Sequence, residues 1–252
     1  MLKYFLKRLL FSIPTLLAIS MVVFGILALA PGDPMGEFAA NPAITEAVRE
    51  NIRKSLGLDQ PLPVRYVKWL LAFLQGDMGY SFTSRSPVFT LIWQRLPTTL
   101  WIVGIAYIFG VLIAFPLGVI SAVKRYSWLD KIISTFSMLG FSLPTFVTGL
   151  LLIIIFSVQL NWLPSFYNST LKISDVNSLI EQVKQSIMPV TVLSLYQGAM
   201  LMRFVRSSVT EEIHQEYVKT ALAKGLTNFS VLTKHIVRNA LIPVVTLIAL
   251  DI

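Results

Sequence analysis

The sequence contains no cysteine. That excludes disulfide frameworks, iron–sulfur clusters and thiolate zinc sites, and leaves the redox compartment unreadable. It also has few charges: 13% of the 252 residues are Asp, Glu, Lys or Arg against 55% hydrophobic residues. A soluble domain carries roughly a quarter charged residues, so the deficit points to lipid as solvent. Only two histidines occur, His214 and His235. They fall on no common helical turn and have no third ligand nearby, which disfavours a metal site. A nucleophile elbow, a His-Glu-x-x-His pair and a phosphate loop are all missing, so neither a protease nor an ATPase within the chain is supported.

What is present is a series of long apolar runs. Leu9 to Ala30 gives 22 residues without a charge, enough for a helix rising about 1.5 Å per residue to cross a hydrocarbon layer about 30 Å thick. Its rival reading is a cleaved signal peptide, whose apolar region covers only about 7–15 residues. A retained anchor over residues 1–30 is therefore expected. Leu96–Val123 and Ile132–Leu160 supply 28 and 29 further uncharged residues. Ser186–Met202 is shorter, at 17 residues, and holds Thr191, Ser194 and Gln197. Such a helix suits packing on protein or lining a cavity better than facing lipid. A fifth run starts at Leu241 and reaches only ten residues by Leu250. On that count the fifth span is expected to be incomplete and the chain truncated.

Proline sits in or beside every run: Pro14, Pro116, Pro144, Pro189 and Pro243. Ordinary tolerance of proline in membrane helices accounts for any one of them. The sharper alternative is that kinks at Pro116 and Pro144 shape a cavity, which makes Pro116, Pro144 and Gln197 candidate path residues. No run holds an ionisable residue between its ends, apart from the terminal Asp251. Ion-coupled carriers need such residues, so coupling to a proton or sodium gradient is disfavoured.

The net charge of +8 finds its explanation in its distribution. With the N-terminus placed in the cytoplasm, twelve basic side chains face four acidic ones on that side, among them Lys124, Arg125, Arg203, Arg206 and Lys219. This is a positive-inside pattern, and it needs no nucleic acid. Residues 31–95 then lie outside. There Thr45 caps a short helix ending at Leu56. A second helix opens at Pro63, carries Val64, Val67, Leu71 and Leu74 on one stripe, and closes at Gly76. That stripe, with Trp69 and Phe73, must bury against the membrane surface, other helices or an external partner. Leu160–Lys184 is a second outside segment, polar and expected to be less ordered.

On the basic side, Thr210–Gly225 reads as an amphipathic helix, with Glu211 and Glu212 in its first turn and Gly225 at its end. A second helical stretch follows from about Asn228 to Asn239. By pattern alone this is a helix pair between two spans, and a hairpin lying on lipid headgroups is its default reading.

Residues 216–226 (EYVKTALAKGL) followed by residues 235–243 (HIVRNALIP) resemble the signature loop of ABC importer permeases, in the dipeptide, oligopeptide and nickel branch. Lys219, Thr220 and Ala221 stand where that loop has Glu-Ala-Ala, and Gly225 keeps its place. The second half departs in spacing from the general pattern but matches the peptide-branch form. Further resemblance lies in residues 13–16 (IPTL), 29–34 (LAPGDP), 56–61 (LGLDQP), 76–81 (GDMGYS), 141–146 (FSLPTF) and 162–164 (WLP), in the same order as in the family. Residues 165–168 replace its usual glycine-rich turn.

The resemblance implies an all-α polytopic membrane protein of the type I ABC-importer fold, with about five of an expected six spans. It implies a core transmembrane domain over residues 96–252 with a coupling loop at about 207–239. It further implies a bacterial inner-membrane location, a second permease subunit, cytoplasmic ATPase subunits that bind ATP and magnesium, and an extracytoplasmic solute-binding protein. The chain itself would hold no cofactor. Glu216, Tyr217, Val218, Thr220, Ala221, Ala223, Lys224, Gly225 and Leu226 would form the ATPase-coupling loop. Peptides are the first-ranked cargo, with glutathione, nickel chelates and sugars open. A non-transporting scaffold or an inactive fragment is the rival from another class.

Overall fold

The computed structural model describes residues 2–29, 50, 54, 57–81, 83–84, 86–171 and 173–251. The helix expected from Thr45 to Leu56 falls almost wholly outside these residues, as do residues 30–34 of the motif that follows the first run. The chain divides into two compact units, 1–92 and 93–252.

In the first unit, α1 (Leu2–Leu29) continues through Pro14, and its described side chains are mostly exposed. Helix α2 (Leu62–Leu74) has Pro63 in its first turn. It ends as expected at Gly76, whose φ is +88°. The Gly76 N–H donates to the Phe73 carbonyl at 3.0 Å and the Asp77 N–H to the Ala72 carbonyl at 2.9 Å. These two bonds satisfy carbonyls that a helix end otherwise leaves open, in a turn that needs the left-handed conformation glycine supplies. The face of α2 that meets α1 keeps the expected Trp69 but not the aliphatic stripe beside it. Val64, Val67, Leu71 and Leu74 stay exposed, while Tyr66 and Trp69 reach Phe24 with ring centroids 5.6 and 5.7 Å apart. The longer aromatic rings bridge the gap between the helices, where aliphatic side chains on the neighbouring face point elsewhere. A two-residue hairpin, β1 (Tyr80–Ser81) with β2 (Ser86–Pro87), closes this segment.

The second unit is a helical bundle. Helix α3 (Val88–Val123) begins eight residues before the apolar run that marks it, and it passes through Pro97 and Pro116 without a break. Helix α4 (Trp128–Ser142) is capped by Ser127, whose hydroxyl accepts from the Asp130 N–H. It stops at Leu143, and Pro144 opens α5 (Thr145–Leu152), which a π-helical turn prolongs over Ile153–Gln159. The two halves are bent by 100°. The run from Ile132 to Leu160 is therefore a broken pair of helices, because Pro144 forces Leu143 out of the helical region and has no N–H to continue the ladder.

Helix α6 (Val176–Ile213) is 38 residues long, about 57 Å at 1.5 Å per residue, nearly twice a hydrocarbon layer. It starts well inside the segment expected to be loosely ordered. The Asp175 carboxylate accepts from the Ser178 N–H at 3.0 Å and the Ser178 hydroxyl bonds back to the Asp175 N–H. This reciprocal cap nucleates the helix among polar residues. After it come α7 (Glu216–Ala223) and α8 (Asn228–Val231), a π-helical turn over Leu232–Ile236, and α9 (Val237–Asp251). The last three form one helix of 24 residues. The final apolar run is thus the second half of a helix long enough to cross a membrane, since residues 228–240 continue its axis instead of forming a separate element.

Four helices among the described residues are long and apolar enough to span, and the bent pair makes a fifth. The bundle centres on α6. Along α3, Ala106, Gly110, Ala114, Gly118 and Ala122 recur every fourth residue and are buried. A Cβ built on Gly110 would stand 3.4 Å from the Gly198 nitrogen, and one on Gly118 2.8 Å from Val205 Cβ and 2.9 Å from the Met202 carbonyl. The two backbones approach to where only small residues fit, which is how helices associate when burial from water contributes nothing. Hydrogen bonds add to this: Trp101 Nε1 donates to Ser186 Oγ at 2.9 Å, Ser137 Oγ to the Ala199 carbonyl at 2.6 Å, and Tyr107 Oη to the Ile248 carbonyl at 3.0 Å.

Candidate functional site

The expected loop residues gather at the end of the bundle formed by the end of α6, by α7 and by the start of α8. The break between α6 and α7 lies at His214 and Gln215. Glu211 and Glu212 therefore occupy the last turn of α6 and do not open the following helix. The apolar face of α6 carries it past the polar residues, and the helix ends only when Ile213 has joined the core. Glu216 then stands in the first turn of α7, where a carboxylate favours the positive end of the helix.

Helix α7 has two distinct faces. Val218 and Ala221 are buried, at 5% and 6% exposure, against a cluster containing Val205 and Val209 of α6, Val231 of α8, Ile236 and Ala240. Tyr217 is half-buried beside them and its hydroxyl donates to Glu212. Burial, and then that hydrogen bond, push the Tyr217 phenol above its ordinary pKa, so it stays a proton donor. The opposite face carries Glu216, Lys219, Thr220, Ala223 and Lys224, all exposed. Lys219 Nζ reaches Glu216 Oε1 at 2.7 Å, a surface pair of little energetic weight.

The exit from α7 is built on Gly225, with φ +83°. The Gly225 N–H donates to the Leu222 carbonyl at 2.9 Å and the Leu226 N–H to the Ala221 carbonyl at 3.3 Å. This is the same double-bonded helix stop that ends α2. Thr227 then caps α8 through its side chain. Between the two short helices lies an apolar groove of about 440 Å³, lined by Val218, Leu222, Phe229 and Leu232 among others. Of its lining, Leu222 and Phe229 are exposed, and Leu226 of the intervening turn is exposed as well.

The candidate path residues are scattered. Pro144 sits at the 100° bend. Pro116 lies within an unbroken helix. Gln197 is half-buried at the close approach of α3 and α6, its Cβ 3.5 Å from where a Gly110 Cβ would be. The structure brings these three to no common cavity among those described.

Two features escaped sequence reasoning. One is the four-residue spacing of small residues along α3, legible in principle as a helix-association stripe. The other is Asp130, grouped by charge counting with surface residues but only 4% exposed. Arg206 Nε and Nη2 reach its two carboxylate oxygens at 2.9 and 3.0 Å. The pair joins the start of α4 to α6, and its members stand 76 positions apart, a separation at which no local pattern announces a contact.

Comparison with known proteins gives the family to which this geometry belongs. Residues 114–252 match the family described as binding-protein-dependent transport system inner membrane component. Residues 1–103 match its N-terminal membrane-component domain. The oligopeptide transport system permease protein AppB of Bacillus subtilis is 40% identical over 99% of this chain and 78% of its own length. The glutathione transport system permease protein GsiC of Pectobacterium atrosepticum is 40% identical over the whole chain and 78% of its own length. GsiC of Salmonella typhimurium is 39% identical over the same shares. With its apolar helices and this likeness along its length, the chain belongs to the inner-membrane permease components of binding-protein-dependent ABC import systems.

Proposed function

We propose that this chain is one of two paired permease subunits of an ATP-driven importer, with α7 as the element that docks in a cytoplasmic ATPase subunit. The observation that carries this reading is the two-faced character of α7. Val218 and Ala221 fasten it to the permease core, while Glu216, Lys219, Thr220, Ala223 and Lys224 stay open. A helix held on one side and presented on the other transmits a push from a partner into α6 and α8. The exposed Leu222 and Phe229 give the partner apolar contact at the groove. ATP and magnesium belong to the ATPase subunits in this scheme, and the permease supplies only the mechanical link.

The relatives support a cargo class. Their names specify oligopeptides and glutathione, so short peptides or peptide-like thiols, delivered by an external binding protein, are the proposed substrates. The N-terminus lies in the cytoplasm, supported by the basic residues at the start of α1 and around α7.

The test is reconstitution of the full complex in lipid vesicles with its binding protein. ATP-dependent uptake of a labelled peptide is expected. Gly225→Asp, which places a side chain in a left-handed conformation at the helix exit, is expected to abolish uptake while the chain still inserts and pairs with its sister permease. Wild-type uptake by that variant would overturn the role of α7. Failure of any ATPase subunit to copurify with the native chain would favour a scaffold.

A further inference from the structure

The Asp130–Arg206 pair does more than balance two charges. The carboxylate accepts from Ser121 Oγ on α3, from Ser134 Oγ on its own helix and from the backbone N–H of Tyr126 in the preceding turn, besides the two guanidinium nitrogens. Three helices thus meet at one buried carboxylate. A bidentate guanidinium–carboxylate contact fixes distance and orientation together, whereas apolar surfaces in contact slide.

Its position gives this rigidity a use. Arg206 lies between Val205 and Val209 on α6, and both valines belong to the cluster that holds Val218 and Ala221 of α7. A displacement of α7 therefore presses on the turn of α6 that carries Arg206. Beyond the pair, α4 and α6 are not packed throughout. A cavity of about 400 Å³ opens between them, lined by Ser134, Ser137, Met138, Met200 and Arg203 among others. Across it, α4 is tied to α6 by the ion pair at one end and by the Ser137–Ala199 hydrogen bond further along. Near the far end of α4 the contacts are side chains, with Phe141 stacked on Tyr196 and Arg203 over the Phe141 ring, and a close approach of Gly140 to Ala199. The ion pair is the contact that fixes the other end, and a shift there passes along α4 to the bend at Pro144.

We infer that Asp130 and Arg206 are positioning residues for transport: they make α4 follow α6 when α7 is moved. The inference rests on the importer reading above, but it can fail separately.

The decisive variant is Asp130→Leu combined with Arg206→Met, which leaves no buried charge unpaired. Asp130→Asn combined with Arg206→Gln is a second variant, read in the same way, that keeps an acceptor for the Ser121 hydroxyl. Because the chain lacks cysteine, Lys131→Cys and Glu211→Cys place spin labels on exposed positions of α4 and α6, within a complex whose other subunits carry no cysteine. In the parent complex the interspin distance is expected to stay narrow and unchanged with and without ATP. In the double variant it broadens or shifts with nucleotide. Peptide taken up per ATP hydrolysed falls about ten-fold at unchanged assembly, within the range that residues away from a ligand site contribute to coupling. A distance distribution in the double variant as narrow and fixed as in the parent overturns the inference, whatever the uptake. So does parental uptake per ATP. Absence of ATP-driven uptake by the parent complex would instead count against the importer reading, and the distance measurement would still decide whether the pair holds the helices together.

Discussion

The two compact units hold their helices together by opposite means. In the first, α1 and α2 touch through large aromatic side chains, and a groove of about 570 Å³ remains between them. No residue of α2 is buried. In the second, α3 and α6 touch through glycine and alanine, with backbone atoms close to where an added methyl would stand. A contact made by side chains adjusts by rotamer change, whereas one made by backbones cannot. The first unit should therefore tolerate substitution and the second should not.

The largest effect is expected where the second unit is both tight and charged. Arg206→Met alone strands the Asp130 carboxylate in the core, and breaking a buried pair from one side costs about 3–5 kcal/mol. Thermal unfolding of the purified chain in detergent should show it as the most destabilised of the single variants. Restoring neutrality with Asp130→Leu in the same chain is expected to recover most of the loss. If the double variant is as unstable as the single one, packing at these positions matters more than charge.

Next in size is Gly118→Ala. Its methyl would meet Val205 Cβ at 2.8 Å and the Met202 carbonyl at 2.9 Å. Overpacking of this kind costs about 1–3 kcal/mol. Adding Val205→Ala removes the Cγ1 contact but leaves the Cβ and carbonyl in place, so only partial recovery is expected in the same unfolding measurement. Gly149→Ala serves as the control, since its Cβ would meet nothing within 4 Å. Alanine is the better helix former, so Gly149→Ala is expected to be neutral or slightly stabilising. A loss there equal to that at Gly118 would mean that close approach does not set the cost.

How much of this was legible beforehand varies by residue. The helical class, the long apolar runs and the helix stops at Gly76 and Gly225 were all readable, because each depends on neighbours within a few positions. Element boundaries were less so. Charge alone suggested that α6 should end near Met202, yet tertiary burial of Val205 and Val209 carries it to Ile213. The break at Pro144 was weighed equally with Pro116, and only one of the two interrupts a helix, because Leu143 precedes a proline that opens a new helix while Pro116 sits in a continuous one. Of the candidate site, the resemblance names Val218 and Leu226 as loop residues without giving them a direction. The fold assigns the first to the core and leaves the second exposed. The Asp130–Arg206 contact was out of reach, since it depends on how helices distant in sequence cross.

Gly225→Ala should have a smaller thermodynamic cost than Gly118→Ala and a more local one. Nothing lies within 4 Å of its Cβ position, so the penalty is backbone strain at φ +83°, about 1–2 kcal/mol for an L-residue held left-handed. Hydrogen exchange should locate the loss in the last turn of α7, at the Gly225 and Leu226 amides. Faster exchange throughout α6 as well would mean that α7 and α6 unfold as one unit.

The smallest effect, and the sharpest check on the comparison, is Tyr66→Phe. The Tyr66 hydroxyl lies 2.8 Å from Ser20 Oγ and 3.3 Å from the Leu17 carbonyl. Removing it leaves nothing stranded, because Ser20 keeps its own bond to that carbonyl at 2.9 Å, and the ring stays against Phe24. A net loss of about 1 kcal/mol or less is expected, the typical worth of one hydrogen bond whose partners remain satisfied. A shift as large as that of Gly118→Ala would show the first unit to be as exacting as the second. The exposed aromatic contact would then have to be a fixed joint, with its single hydroxyl setting the angle between α1 and α2.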